Sequence, residues 1–132
     1  SLGLDFHPNI CIGEDVHPAQ VRLPSMMIQI PVENSMKHAL RGKEGECNLW
    51  IAVSRQKSAI CIKITDNGGG YRPDSRHRGT GTGMKVVMQT IQILNMKNKE
   101  TIDATVHNVK LPNGEIGCEV TFLLPDKYDY SI

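Results

Sequence analysis

No stretch of this chain stays apolar for long. Runs such as Met26 to Ile28 are interrupted within a few residues, which excludes a membrane-spanning helix of about 20 residues and an apolar leader, so the piece is expected to be soluble. Nor does one sign of charge dominate. The net charge is +1 with 22% charged residues, so there is no general electrostatic case for nucleic acid or an anionic membrane as partner. Cys11, Cys47, Cys61 and Cys118 form no Cys-x-x-Cys pair, and the five histidines are dispersed. A zinc framework is not indicated, and Cys61 sits inside an apolar strand pattern. The cysteines read as reduced core residues of a cytosolic protein. Internal repeats and low-complexity segments are missing as well. A chain of 132 residues has room for one complete core but not comfortably for two, so residues 1 to 132 are read as a single domain.

Glycine, by contrast, is concentrated. Six of the twelve glycines fall between Gly68 and Gly83, in ITDNGGGYRPDSRHRGTGTGM. Glycine is costly to order, and such clusters persist where the backbone adopts unusual dihedrals or a ligand comes close. Phosphate is the usual guest. A Walker A loop would place Lys and a hydroxyl residue after the last glycine, whereas Gly83 is followed by Met84, Lys85 and Val86. A dinucleotide fingerprint also fails, because Gly79 and Gly81 lead to Met84 at the final glycine position. A hairpin loop would explain Gly68 to Gly70 but not a second glycine repeat abutting a helix.

The pattern along the chain suggests short extended segments at 4–12 and 19–22, broken by Pro8, Gly13 and Pro18. From Leu23 a helix is expected, with Ser25 as cap, Met26, Met27, Ile30, Val32, Met36 and Leu40 mostly buried, and Gly42 at its end. Pro31 should kink or break it. Residues 47–55 and 58–66 read as a hairpin with Gln56 and Lys57 between the strands. Arg72 to Arg78 form a polar surface loop or lid. Residues 82–95 are helical, with Gly83 at the start and Met84, Val87, Met88, Ile91 and Leu94 on one face. Strands near 101–110 and 116–124 follow, joined by Pro112-Asn113-Gly114. Helices on one face of a mostly antiparallel sheet make a two-layer α/β sandwich.

Three groups of residues carry candidate chemistry. Asp66, at a strand end with Gly68 and Gly70 behind it, can accept a hydrogen bond from an aromatic amine such as adenine N6 while glycine lets the base lie on the backbone. Taken alone, Asp-Asn-Gly-Gly also reads as an Asx-turn closing the strand. Asn34, Lys37 and His38 share a helix face, where an amide oxygen can ligate magnesium and a lysine can neutralise phosphate. The same spacing also makes a solvated face. Finally, Gly79-Thr80-Gly81-Thr82-Gly83 runs into a helix whose N-terminal amides favour phosphate, with Arg72, Arg76, His77 and Arg78 just before it. Together these supply a base reader, a metal ligand and a phosphate cradle, which is a nucleotide pocket.

At these residues the chain resembles the Bergerat-fold (GHKL) ATPases, the superfamily of gyrase, the heat-shock chaperone, histidine kinases and mismatch-repair proteins. PVENSMKH resembles the N box, DNGGG the G1 box and GTGTGM the G2 box, in the right order. LPSMMIQIPVENSMKH, the short lid and GTGTGMKVVMQTIQILN more specifically resemble the catalytic ATP-binding domain of bacterial sensor histidine kinases of the type paired with LytTR regulators. The resemblance extends from about residue 5 to Pro125. It implies a mixed, mostly antiparallel sheet with helices on one face and a short ATP lid. It also implies roles by position. Asn34 would hold magnesium, Lys37 phosphate, His38 would lie beside adenine or ribose, and Asp66 would read N6. Gly68 and Gly70 would shape the base pocket, and Thr80, Gly81, Thr82, Gly83 and Met84 would offer amides to the phosphates.

The departures from the pattern are informative. Hydrolysing members carry a glutamate four residues before the metal asparagine; here that residue is Ile30, and Glu33 points elsewhere on the helix. This favours delivery of phosphate to a protein over free hydrolysis. Cys118 stands where a threonine is common in the last strand, and the lid has no phenylalanine-bearing box. His7 of DFHPNI precedes a proline in an extended setting, so it does not read as a phosphoacceptor. The expectation is therefore an excised cytoplasmic domain of a longer sensor, anchored in the inner membrane, that binds Mg-ATP and phosphorylates a histidine on a separate dimerisation domain ahead of a response regulator. The alternative is a binding module whose lid closes on ATP to control a protein partner without phosphoryl transfer.

Overall fold

Apolar residues alternate along 60–64 and 118–124, so each of these segments can bury one face and belongs in a sheet. The computed structural model describes residues 8–39, 43–70 and 80–131, and the side chains within them other than those of Gln20, His38, Ala39, Thr80, Gly81 and Thr82. It contains strands β1 (Asn9–Ile12), β2 (Leu49–Gln56), β3 (Ala59–Asp66), β4 (Asp103–Lys110) and β5 (Ile116–Pro125), with helices α1 (Met26–Asn34) and α2 (Thr80–Asn95). The sheet order is β1-β2-β3-β5-β4. β1 runs parallel to β2, and the remaining pairs are antiparallel. This is the mixed, mostly antiparallel α/β arrangement expected from the sequence. β3 is its central strand, and Asp66, the last residue of β3, lies opposite Leu49 of β2.

The core lies between sheet and helices. Ile60, Ile62 and Ile64 of β3 and Val120, Phe122 and Leu124 of β5 meet Met27 of α1 and Met84, Val87 and Ile91 of α2. Leu94 is fully buried and Met88 packs against the same core, so the whole predicted face of α2 is used. Burial of each large apolar side chain contributes roughly 1.5–3 kcal/mol, making this layer the main support for the strand ends above it.

Local differences from expectation have identifiable causes. Residues 18–20 form a 3-10 turn rather than an extended segment, started by Pro18, whose fixed φ suits a first helical position. Ser25 has helical dihedrals and makes no capping side-chain bond; its carbonyl instead accepts from the amides of Ile28 and Gln29. After Asn34 the α-helix passes into a π-turn, Ser35–Ala39, one turn beyond Pro31. The β2–β3 register pairs Gln56 with Ala59, so the loop residues are Lys57 and Ser58 rather than Gln56 and Lys57. α2 begins at Thr80, placing Gly83 inside its first turn rather than at its start. Cys61 and Cys118 are buried as expected, but Cys11 is exposed on an edge strand and Cys47 half-buried. The predictions for residues 4–7, Leu40 and Gly42, the lid residues Arg72, Pro73, Arg76, His77 and Arg78, and Gly79 lie outside the described residues. No described helix is long and apolar enough to cross a membrane.

Candidate nucleotide site

The site is built at the end of β3. Asp66 is 2% exposed, and burial of a carboxylate requires donors. Its Oδ1 accepts from the Gly68 amide at 2.9 Å and the Cys118 amide at 3.4 Å, and its Oδ2 accepts from Ser35 Oγ at 2.7 Å. The first bond is an Asx-turn closure, one of the readings open in the sequence. The carboxylate thus joins the turn after β3, the start of β5 and the end of α1.

Backbone proximity makes this possible. A Cβ at Gly117 would overlap the carbonyl oxygen of Asp66, so only glycine lets β5 approach Asp66 from this side. Gly70 has φ +88°, and a Cβ there would lie 2.9 Å from both Asn108 Oδ1 and Ile116 Cγ2; its missing side chain lets the β4–β5 end close over the turn. The adjoining Asn67 is 1% exposed and extends the sheet with its side chain. Its Oδ1 accepts from the Asn48 amide at 2.8 Å, and its Nδ2 donates to the Glu46 carbonyl at 2.8 Å. Nδ2 also reaches Glu115 Oε1 at 3.3 Å. Hydrogen bonds from Lys43, then Asn113 and Asn67, hold the Glu115 carboxyl below its usual range.

Above Asp66, the end of α1 faces the first turn of α2. A Cβ at Gly83 would stand 3.0 Å from Ile30 Cγ2 and 3.4 Å from Asn34 Oδ1, so the Asn34 amide lies directly against α2. Among the described residues, the buried Asn34 Nδ2 has no hydrogen-bond partner. A buried polar atom left unpaired loses about 1–3 kcal/mol, and its place here suits a polar guest. Thr80, Gly81 and Thr82 occupy the first helical positions, where amides have no intrahelical partner. Met84 is 6% exposed and enters the site through its side chain. Lys37 is exposed. The π-turn, bonded five residues apart, rotates it away from the Asn34 face that a continuous α-helix would have given it. The His38 side chain lies outside the described residues.

Pro31, Asn34, Asp66, Met84, Val106 and Cys118 line a cavity of about 20 Å³, room for a water-sized guest. A purine is larger, so its admission requires a wall to yield, and Met84, an unbranched thioether, is the most adaptable side chain there. The donor set fits an amine-bearing base at Asp66. It does not fit a resident metal, since no group of three His, Cys, Asp or Glu side chains that could hold one occurs among the described residues. Asn34 alone suits a magnesium ion that arrives on phosphates and keeps several waters. The sequence did not single out Ser35, Gly117 or Asn67. The Ser within NSMK and the Gly before Cys118 were visible, but their pairing with Asp66 depends on the β3–β5 register.

Residues 20–128 match the family Histidine kinase-, DNA gyrase B-, and HSP90-like ATPase, and the chain belongs to that family. Among curated relatives it is similar to sensor protein LytS of Bacillus subtilis strain 168, at 27% identity over 117 residues, covering 80% of this chain and 18% of the relative. It is also similar to sensor protein LytS of Staphylococcus epidermidis, at 28% over 114 residues with the same two coverages, 80% and 18%. The chain therefore spans about a fifth of the length of these relatives. Among solved structures, Acinetobacter baumannii histidine kinase AdeS has a TM-score of 0.55 at 16% identity, with 91% of this chain and 54% of that chain covered. The nucleotide-free catalytic domain of histidine kinase ThkA has a TM-score of 0.54 at 11% identity, covering 92% and 82%. The fold is that of histidine kinase catalytic domains.

Proposed function

We propose that this chain is the catalytic domain of a sensor histidine kinase. It binds Mg-ATP with adenine N6 on Asp66 and the phosphates over the start of α2, and donates the γ-phosphate to a histidine on a separate dimerisation domain. The observation that carries this reading is the buried Asp66 carboxylate at the cavity, with Asn34, whose Nδ2 has no partner among the described residues, against Gly83 beside it. In transfer, the bond from the γ-phosphorus to the oxygen it shares with the β-phosphate breaks as one to an imidazole nitrogen forms, and ADP leaves. Phosphoryl transfer asks the protein mainly for positioning and charge stabilisation. Asn34 would hold magnesium and Lys37, exposed nearby, would add positive charge. Gly68 and Gly70 would shape the base side, and Thr80, Gly81, Thr82 and Gly83 would offer backbone amides on the phosphate side.

The site favours a protein acceptor over water. The position four residues before Asn34 is Ile30, packed against Gly83, and so offers no base. Glu33 is turned outward, its Oε1 accepting from Gln29 Nε2 at 3.0 Å. The chain is then one domain of a longer, membrane-anchored sensor acting on a response regulator, in keeping with its similarity to a fraction of the LytS sequences. Incubation with labelled ATP, magnesium and the separate dimerisation domain should label a histidine, and Asn34→Ala should abolish labelling. Nucleotide binding without any labelling would instead make the domain a nucleotide-controlled binding module.

A further inference from the structure

Ser35 occupies the point where α1 becomes a π-turn. Its amide is shared between the carbonyls of Pro31 and Val32, a mark of changing helical register. Pro31 contributes no amide hydrogen, and π-bonding occurs as single weakly favoured turns. The backbone thus changes hydrogen-bonding register at this point. A side-chain bond ties it to the sheet: Ser35 Oγ donates to Asp66 Oδ2 at 2.7 Å, between residues 8% and 2% exposed. Among the described residues, no other side-chain hydrogen bond runs from this junction to the sheet. Asn34, the preceding residue, rests its amide against Gly83, and among the described residues its Nδ2 has no hydrogen-bond partner.

We propose that Ser35 is a positioning residue: by pinning the α1 end to Asp66 it sets Asn34 at the start of α2, making the base end and the magnesium end of the site one unit. This rests on the nucleotide reading above. Ser35 needs no contact with the nucleotide to act. Its hydrogen bond fixes the backbone from which Asn34 projects, and its effect is therefore felt where Asn34 works. A role confined to aiming Asp66 would instead change base preference, and a role confined to stability would change all ligands alike.

The test is calorimetric titration of the chain with a non-hydrolysable ATP analogue and its inosine counterpart, each with magnesium and with chelator. Ser35→Ala should lower the magnesium-dependent gain in affinity by about fivefold, the scale of one net hydrogen bond, while the adenine-to-inosine ratio stays unchanged. Ser35→Thr, which keeps the hydroxyl, should restore the gain. In an Asn34→Ala background, Ser35→Ala should have no further effect on it. If Ser35→Ala does not fold, Ser35→Cys, similar in size with a weak donor, carries the same test. An unchanged magnesium gain, a loss equal with and without magnesium, or additivity with Asn34→Ala overturns the inference while leaving the nucleotide reading intact. No binding of either analogue by the parent chain overturns both.

Discussion

At the scale of single residues, Asp66 closes the Asx-turn and still lines the cavity where the base is proposed to bind. One oxygen closes the turn onto Gly68 and receives the Cys118 amide, and the other is turned toward Ser35. The turn does not exhaust the carboxylate, which is why an Asx-turn motif can also line a pocket. Gly117 is the least replaceable neighbour, because a side chain there would strike backbone rather than a mobile group. Gly117→Ala is expected to destabilise the fold by about 3 kcal/mol, the upper range for overpacking, as read from the urea midpoint. A similar loss is not expected at the half-buried Ile30, which offers no base where the proposed function would need one for hydrolysis. Ile30→Glu should leave Mg-ATP binding in place and raise basal ATP hydrolysis, measured as phosphate release; an unchanged rate would contradict this reading of Ile30.

At the scale of elements, the strands and α2 were legible because their periods are strong. Ile60, Ile62 and Ile64 alternate, and Met84, Val87, Ile91 and Leu94 recur at helical spacing. The β4–β5 turn was legible too, as Pro112 and Gly114 occupy a four-residue turn with the Gly114 amide bonded to Leu111 at 2.9 Å. Elsewhere the signals were ambiguous. Neither Gln56 nor Lys57 has turn chemistry, so the loop position was set by cross-strand pairing, which no local pattern records. Pro31 announced a break in α1, but not that hydrogen bonding would resume with a π-turn at Ser35. Lys57 consequently sits at φ +57°, a region that side chains with a Cβ enter at a cost of about 1–2 kcal/mol. Lys57→Gly should therefore stabilise the domain by about 1 kcal/mol after the greater freedom of glycine in the unfolded chain is deducted. A denaturation midpoint lower than that of the parent would show that the turn is not strained.

At the scale of the whole molecule, the two ends of the sheet have different tasks. One carries Asp66; at the other, the C-terminal segment is tied to α2. Asn95 Oδ1 accepts from Tyr128 Oη at 2.6 Å and from the Ile102 amide at 2.9 Å, while Asn98 exchanges bonds with the backbone of Asp129. Tyr128 and Tyr130 pack with ring centroids 4.7 Å apart. Burial, and then repulsion from Tyr128, push Tyr130 up to about 12; burial also raises Tyr128, against a smaller opposing hydrogen bond from Asn98. Because the unfolded chain gives up these protons at a lower pH, the tyrosines' contribution is complete below about pH 10 and is lost as pH rises toward the folded value. Alkaline titration should show tyrosinate absorbance and loss of helical circular dichroism rising together over that interval. Ordinary tyrosine titration with no loss of structure would contradict the packing of this segment.

The central claim is that the Asp66 end of the sheet reads adenine, and calorimetry tests it most directly. The parent chain, with magnesium, should bind a non-hydrolysable ATP analogue with a Kd between about micromolar and millimolar and prefer it to the inosine analogue. Asp66→Asn should reverse that preference. Its amide can keep Oδ1 on the Gly68 and Cys118 backbone while presenting an N–H that opposes the amine of adenine and donates to the carbonyl oxygen of hypoxanthine. Adenine preference that survives unchanged in Asp66→Asn would contradict the account.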